Sequence, residues 1–200
     1  MKTNLLSVLF AVLCCTACHN NPSADSATNM ADTTTVTTKT DVTNVVKDTV
    51  QVLAPGVPDS TFLAKAYSIG TFEIKIAQLA QKKSMNAKVK EFAGMMISDH
   101  TAMGKDVSDL ITKKNYNKPT DLPADLQSKY DDLNKLSGKD FDKKYADINA
   151  DGHKEAIDMF TSVSNSSQDA DVKKLATDAL PKLQTHESHA IALQTEVSGM

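Results

Sequence analysis

Arginine is missing altogether: every one of the 22 basic residues is lysine. Guanidinium is the side chain that grips phosphates and base edges in a planar, two-pronged way, so its absence speaks against nucleic-acid or nucleotide recognition. Cysteine is almost as scarce. Cys14, Cys15 and Cys18 are the whole set, which leaves the rest of the chain no disulfide, thiolate zinc knuckle or thiol nucleophile. No G-x-x-x-x-G-K-[ST] loop, G-x-G-x-x-G turn or G-x-S-x-G elbow occurs. The apolar run at residues 5–13 falls well short of the roughly 20 residues a spanning helix needs. The net charge of −3 is only mildly acidic.

The start of the chain reads as an address. Lys2 precedes the short apolar run, and small residues follow it, as in a secretory signal. Cys15-Thr16-Ala17-Cys18 resembles a lipobox in which Cys18 becomes the lipidated N-terminus, with Cys15 where leucine is usual. The expectation is a lipoprotein signal peptide over 1–18, leaving the protein on the periplasmic side of the envelope as an outer-membrane lipoprotein. Its membrane contact would then run through the lipid anchor, with no nucleic-acid partner. Residues 19–58, rich in Thr, Asn and Ser with Pro55 and Pro58 at the end, lack helical period and apolar surface. They read as a disordered tether.

From 59 to 198 the pattern is helical. Apolar residues recur in steps of four and three over about 60–82, 85–113, 139–164 and 170–197. The seams run through Ile69 in the first helix, Met103 in the second, Ile157 in the third and Ala179 in the fourth. Asp59 or Ser60, Ser84, Ser137 and Asp169 are the expected N-caps, with Ser137 and Asp140 forming a capping box. Pro181 should kink the last helix. Short links predict two antiparallel hairpins, and the long segment between the second and third helices predicts a crossover with a short helix near 124–135. That is an all-α, ferritin-like four-helix bundle.

Each seam carries one polar residue near its middle: Glu73, His100, His153 and His186. Three imidazoles and a carboxylate converging there would suit a single Zn, Cu or Fe ion. The same residues could instead form a hydrogen-bonded polar layer that fixes helix register, or could face a wet cleft. Asp99, Asp151 and Glu187 lie off the seam, where they could only support ligands from behind. His189 forms an H-x-x-H pair with His186, although an edge histidine is commonly just solvated. Met96, Met103 and Met159 offer soft thioethers, but methionine is also the usual filler of helical cores.

The segments 62–80 (FLAKAYSIGTFEIKIAQLA), 89–100 (VKEFAGMMISDH), 136–160 (LSGKDFDKKYADINADGHKEAIDMF) and 180–186 (LPKLQTH) resemble the ferritin-like family called domain of unknown function 4142. The resemblance implies a four-helix bundle in the envelope and brings no reaction with it. Its recurring polar positions fall on Glu73, Asp99-His100, His153 and His186. Di-iron bundles carry Glu-x-x-His on two helices, whereas Ile97, Ala150 and Leu183 stand three residues before the histidines here. The bridging carboxylates are missing. Three functions therefore stay open: a tethered module binding a metal, small ligand or protein partner; a metal-dependent oxidase or ferroxidase with a degenerate site; and a purely structural envelope protein.

Overall fold

A computed structural model describes residues 57–199. The expected signal peptide, lipidation at Cys18 and all but the last two residues of the tether lie outside the described residues. Among the described residues there are five helices and no strand. They are α1 (Asp59–Lys83), α2 (Ala87–Lys113), α3 (Ala124–Lys135), α4 (Gly138–Ser166) and α5 (Ala170–Ser198). None is long and apolar enough to cross a membrane.

Cross-helix contacts fix the directions of this helical bundle. Gln81 donates to the Lys90 carbonyl and Glu73 meets His100, so α1 and α2 are antiparallel. Gln194 bonds Asp147 while His186 meets His153, so α4 and α5 are antiparallel too. Between the two hairpins, Ser167 donates to Asp59 and Phe62 packs edge-on against Phe160, pairing α1 with α4. Lys113 with Asp171 and Lys182 with Asp99 pair α2 with α5 in the same sense. It follows that α2 and α4 run parallel, and residues 114–137 must carry the chain back along the bundle. The return ends where Lys83 holds the Asn134 and Leu136 carbonyls.

The core is interrupted at its middle. One apolar cluster gathers Phe72, Ile76, Met96, Tyr145 and Leu193; a second gathers Phe62, Leu63, Ile111, Phe160 and Val172. On α2, α4 and α5 the boundary between them falls at His100, His153 and His186. On α1, Glu73 lies beside it, next to Phe72.

Helix ends depart from expectation in three places. Ser84 closes α1 rather than opening α2; Asn86 caps α2, its side chain accepting from Lys88 N (2.8 Å) and Val89 N (3.4 Å). The Ser84 hydroxyl accepts from Asn86 N and so sets up that cap. Asn86→Ala is expected to cost about 1 kcal/mol, read as a lower urea midpoint; a larger loss from Ser84→Ala would contradict the assignment. Pro58, not Asp59 or Ser60, stands at the N-cap of α1. Ser137 does precede α4, but its side chain makes no cap bond. Gly138 follows it at φ 57°, outside the helical geometry a capping box with Asp140 requires. Asp169 caps α5 as expected, and α5 continues as helix through Pro181.

Candidate metal centre

Three imidazoles from three helices meet in the interrupting layer. Ring centroids lie 5.0 Å apart for His100 and His186, 5.2 Å for His153 and His186, and 5.6 Å for His100 and His153. His100 is 3% exposed, His153 and His186 0%, and Glu73 beside them 4%. One ring nitrogen from each histidine lies within 4.8 Å of the other two.

Each ring is held by one nitrogen only. His153 Nδ1 is 2.8 Å from the Asn149 carbonyl, which can only accept, so Nδ1 carries the proton and Nε2 keeps its lone pair. His186 Nε2 is 2.9 Å from Asp99 Oδ2. Burial works against the Asp99 charge, but hydrogen bonds from Lys182 (2.8 Å) and His186 hold its carboxyl below the ordinary value. Asp99 is therefore ionised, the His186 Nε2 proton is donated to it, and Nδ1 is left bare. His100 Nδ1 lies 3.1 Å from Glu73 Oε2, and the other Glu73 oxygen is 3.7 Å from His153 Nδ1. The opposite nitrogens, His100 Nε2, His153 Nε2 and His186 Nδ1, are buried with no hydrogen-bond partner. A buried polar atom left in that state costs about 1–3 kcal/mol.

Burial sets the protonation of the layer. It pushes Glu73 from 4.5 up to about 8, so this carboxyl is mostly neutral at pH 7. Burial also lowers His100 to about 3, helped by the neighbouring rings, and His153 to about 4, against the Asn149 hydrogen bond. His186 is lowered as well, burial outweighing Asp99. Three neutral imidazoles can accept a cation, His153 Nε2 and His186 Nδ1 with lone pairs already bare and His100 Nε2 once Glu73 is ionised; three imidazolium ions could not.

Of the residues proposed from sequence, the structure brings Glu73, His100, His153, His186 and Asp99 together. It does not bring the others. Asp151 and His189 are exposed and Glu187 is half-buried, and no hydrogen bond or ion pair among the described residues joins them to the rings. One or two positions from a ring-bearing residue, as for Asp151 and Glu187, a helical side chain is turned toward the flank or solvent; His189, three from His186, lies nearer that face but is exposed. Asp99 escapes this because α5 packs close enough on its flank to receive it. Asn149 was not foreseen: its ligand is a backbone carbonyl four residues before His153, so residue type gave no signal. Also unforeseen was a buried polar row along α4. There Asp142 Oδ1, Tyr145 Oη and Asn149 Oδ1 have no hydrogen-bond partner.

Two clefts reach the layer. One, of about 560 Å³, opens between α2 and α5 and touches Gly70, Glu73, His100 and Met103. Another, of about 820 Å³, lies between α1, α4 and the return segment near 115–129, and also touches Glu73. These openings explain why Ile69, Met103 and Ala179, expected on apolar seams, are only half-buried. Ile157 too is half-buried, packed at the edge of the second core cluster.

A helical bundle with a histidine cluster at its middle is the class that fold and site define. Within that class the chain belongs to the family described as Domain of unknown function (DUF4142), which matches residues 46–193. Comparison with curated protein sequences gives no match. Among solved structures, the chain is similar to a putative secreted protein DUF305 from Streptomyces coelicolor, at 13% identity and a TM-score of 0.59, over 70% of this chain and 92% of that one. It is similar to CopM in the Cu(II)-bound form, at 15% identity and a TM-score of 0.60, over 70% and 98%. A DUF305 fragment from Deinococcus radiodurans matches at 10% identity and a TM-score of 0.61, over 74% and 100%. At such identities the likeness is one of fold.

Proposed function

We propose that this protein is an exported, lipid-anchored envelope module, a ferritin-like four-helix bundle that binds a single transition-metal ion, copper first, through His100, His153 and His186. The observation that carries the reading is the state of the three rings. Each is oriented from behind by one partner and keeps a buried nitrogen with no hydrogen-bond partner. Metal-binding histidines are oriented in this way by outer partners. Glu73, the Asn149 carbonyl and Asp99 are those positioning groups here.

Imidazole nitrogens suit copper and zinc, and copper(II) stands highest in the general affinity order for such donors. The Cu(II)-bound state of CopM supports the choice. The missing bridging carboxylates argue against a binuclear oxidase. An envelope location is supported by the leader residues and by the secreted description of one neighbour.

Purification without chelator, followed by copper and zinc analysis and titration, tests the proposal. The expected result is one equivalent per chain in the wild type and none in His186→Leu. Wild-type protein that takes neither ion under reducing or oxidising conditions would leave the layer a structural device for helix register.

A further inference from the structure

We propose that an ion held by the three rings keeps a fourth coordination position for a small exogenous monoanion, which enters through the cleft between α2 and α5. The inference rests on the metal reading above and adds a ligand class to it. The first argument is the shortage of donors. Among the described residues, the cluster of groups able to share one ion contains only His100, His153 and His186. Both nearby carboxylates are already committed. Asp99 spans His186 Nε2 and Lys182 Nζ, and Glu73 faces the Nδ1 atoms of His100 and His153. Three protein ligands and no fourth is the pattern of metal sites that accept an outside molecule.

The second argument is access. The cleft of about 560 Å³ runs down to His100 and Glu73; apolar side chains such as Met103, Leu110 and Leu183 wall most of it, while aspartates including Asp106 and Asp178, partly offset by lysines including Lys182, also line it. A mostly apolar passage of this kind strips water from whatever enters, which favours weakly hydrated anions of two or three heavy atoms over sulfate or phosphate.

Charge is the third argument. Three imidazoles bring none, Asp99 is shared with Lys182, and Glu73 against the rings supplies at most one negative charge. A divalent ion in this layer would therefore leave a buried positive excess, which an incoming anion offsets.

Azide is the probe. Copper(II)-loaded protein titrated with sodium azide should develop a saturable near-ultraviolet charge-transfer band and a shifted copper electron paramagnetic resonance spectrum. Gly104 lines the same cleft, with open space where its Cβ would stand. Gly104→Trp is expected to leave the azide-free copper spectrum unchanged and to weaken azide binding about tenfold or more. Ala179→Phe fills the cleft from α5 and should act the same way. A protein that takes no copper defeats the metal reading and this inference together. A copper-loaded protein indifferent to azide defeats this inference alone, and so do normal azide affinities in both cleft-filling variants.

Discussion

Copper(II) affinity of the wild-type protein is expected to rise about tenfold for each pH unit between roughly 6 and 8 and then to level off. The slope comes from Glu73, not from the ligands. With His100 lowered to about 3 and His153 to about 4, the rings are already neutral across this range and compete for no protons. Glu73, raised to about 8, still carries its proton below that pH. In that state its hydroxyl donates to His100 Nδ1 and the ring proton sits on Nε2, where the ion must bind. Loading then has to release one proton, and one proton gives one decade per pH unit. Once Glu73 is ionised it accepts from Nδ1–H instead, and Nε2 is free. Glu73→Gln should therefore bind copper with a flat profile over the same range. Its affinity at pH 8.5 should be lower than wild type by about 10–100-fold, the usual loss for an outer-shell partner. Competition against a chelator of known pH behaviour measures both. Equal slopes in the two proteins would refute the account.

His153→Leu should move binding and stability in opposite directions. Losing one of three donors is expected to weaken copper by about a hundredfold or more, given the size of metal-binding free energies shared over so few ligands. The metal-free protein, by contrast, should gain about 1–3 kcal/mol, because a buried nitrogen without a partner is replaced by an apolar side chain of similar bulk. The pH dependence separates this from ordinary repacking. A histidine whose folded pKa is depressed contributes stability that is intact above its unfolded value near 6.5. That stability drains away as pH falls toward the folded value, at about 1.4 kcal/mol per pH unit. His100 and His153 both act this way. Glu73 acts oppositely: with its folded pKa raised, its contribution is full below 4.5 and lost as pH climbs to about 8. Metal-free wild type should thus be most stable near pH 6.5, and His153→Leu should halve the acid slope attributed to this histidine pair. Urea melts from pH 4.5 to 8 check this; a variant that is less stable than wild type at every pH would refute it.

Helix positions were legible in the sequence because apolar spacing reports burial directly. The short helix foreseen near 124–135 is Ala124–Lys135, and the four long helices end within about two residues of their expected bounds. The mid-seam histidines and Glu73 were legible for the same reason, each being a polar break in an apolar row. What spacing does not report is the rotation of one helix against another. That rotation decides that Asp99 reaches His186, that Asp151 points to water, and that Ile69 and Met103 border a cleft. Ser84 and Asn86 show a finer limit. Both are good capping residues two positions apart, and only the path of the turn chooses between them.

The layer's five side chains come from different halves of the fold. Glu73, Asp99 and His100 belong to the first hairpin, His153 and His186 to the second, and residues 114–137 are the chain's covalent link between them. An ion gripped across that divide would be a clasp. Its binding free energy would add to whatever holds the halves together, and a chain severed in the connecting strap would still have a reason, when loaded, to stay in one piece.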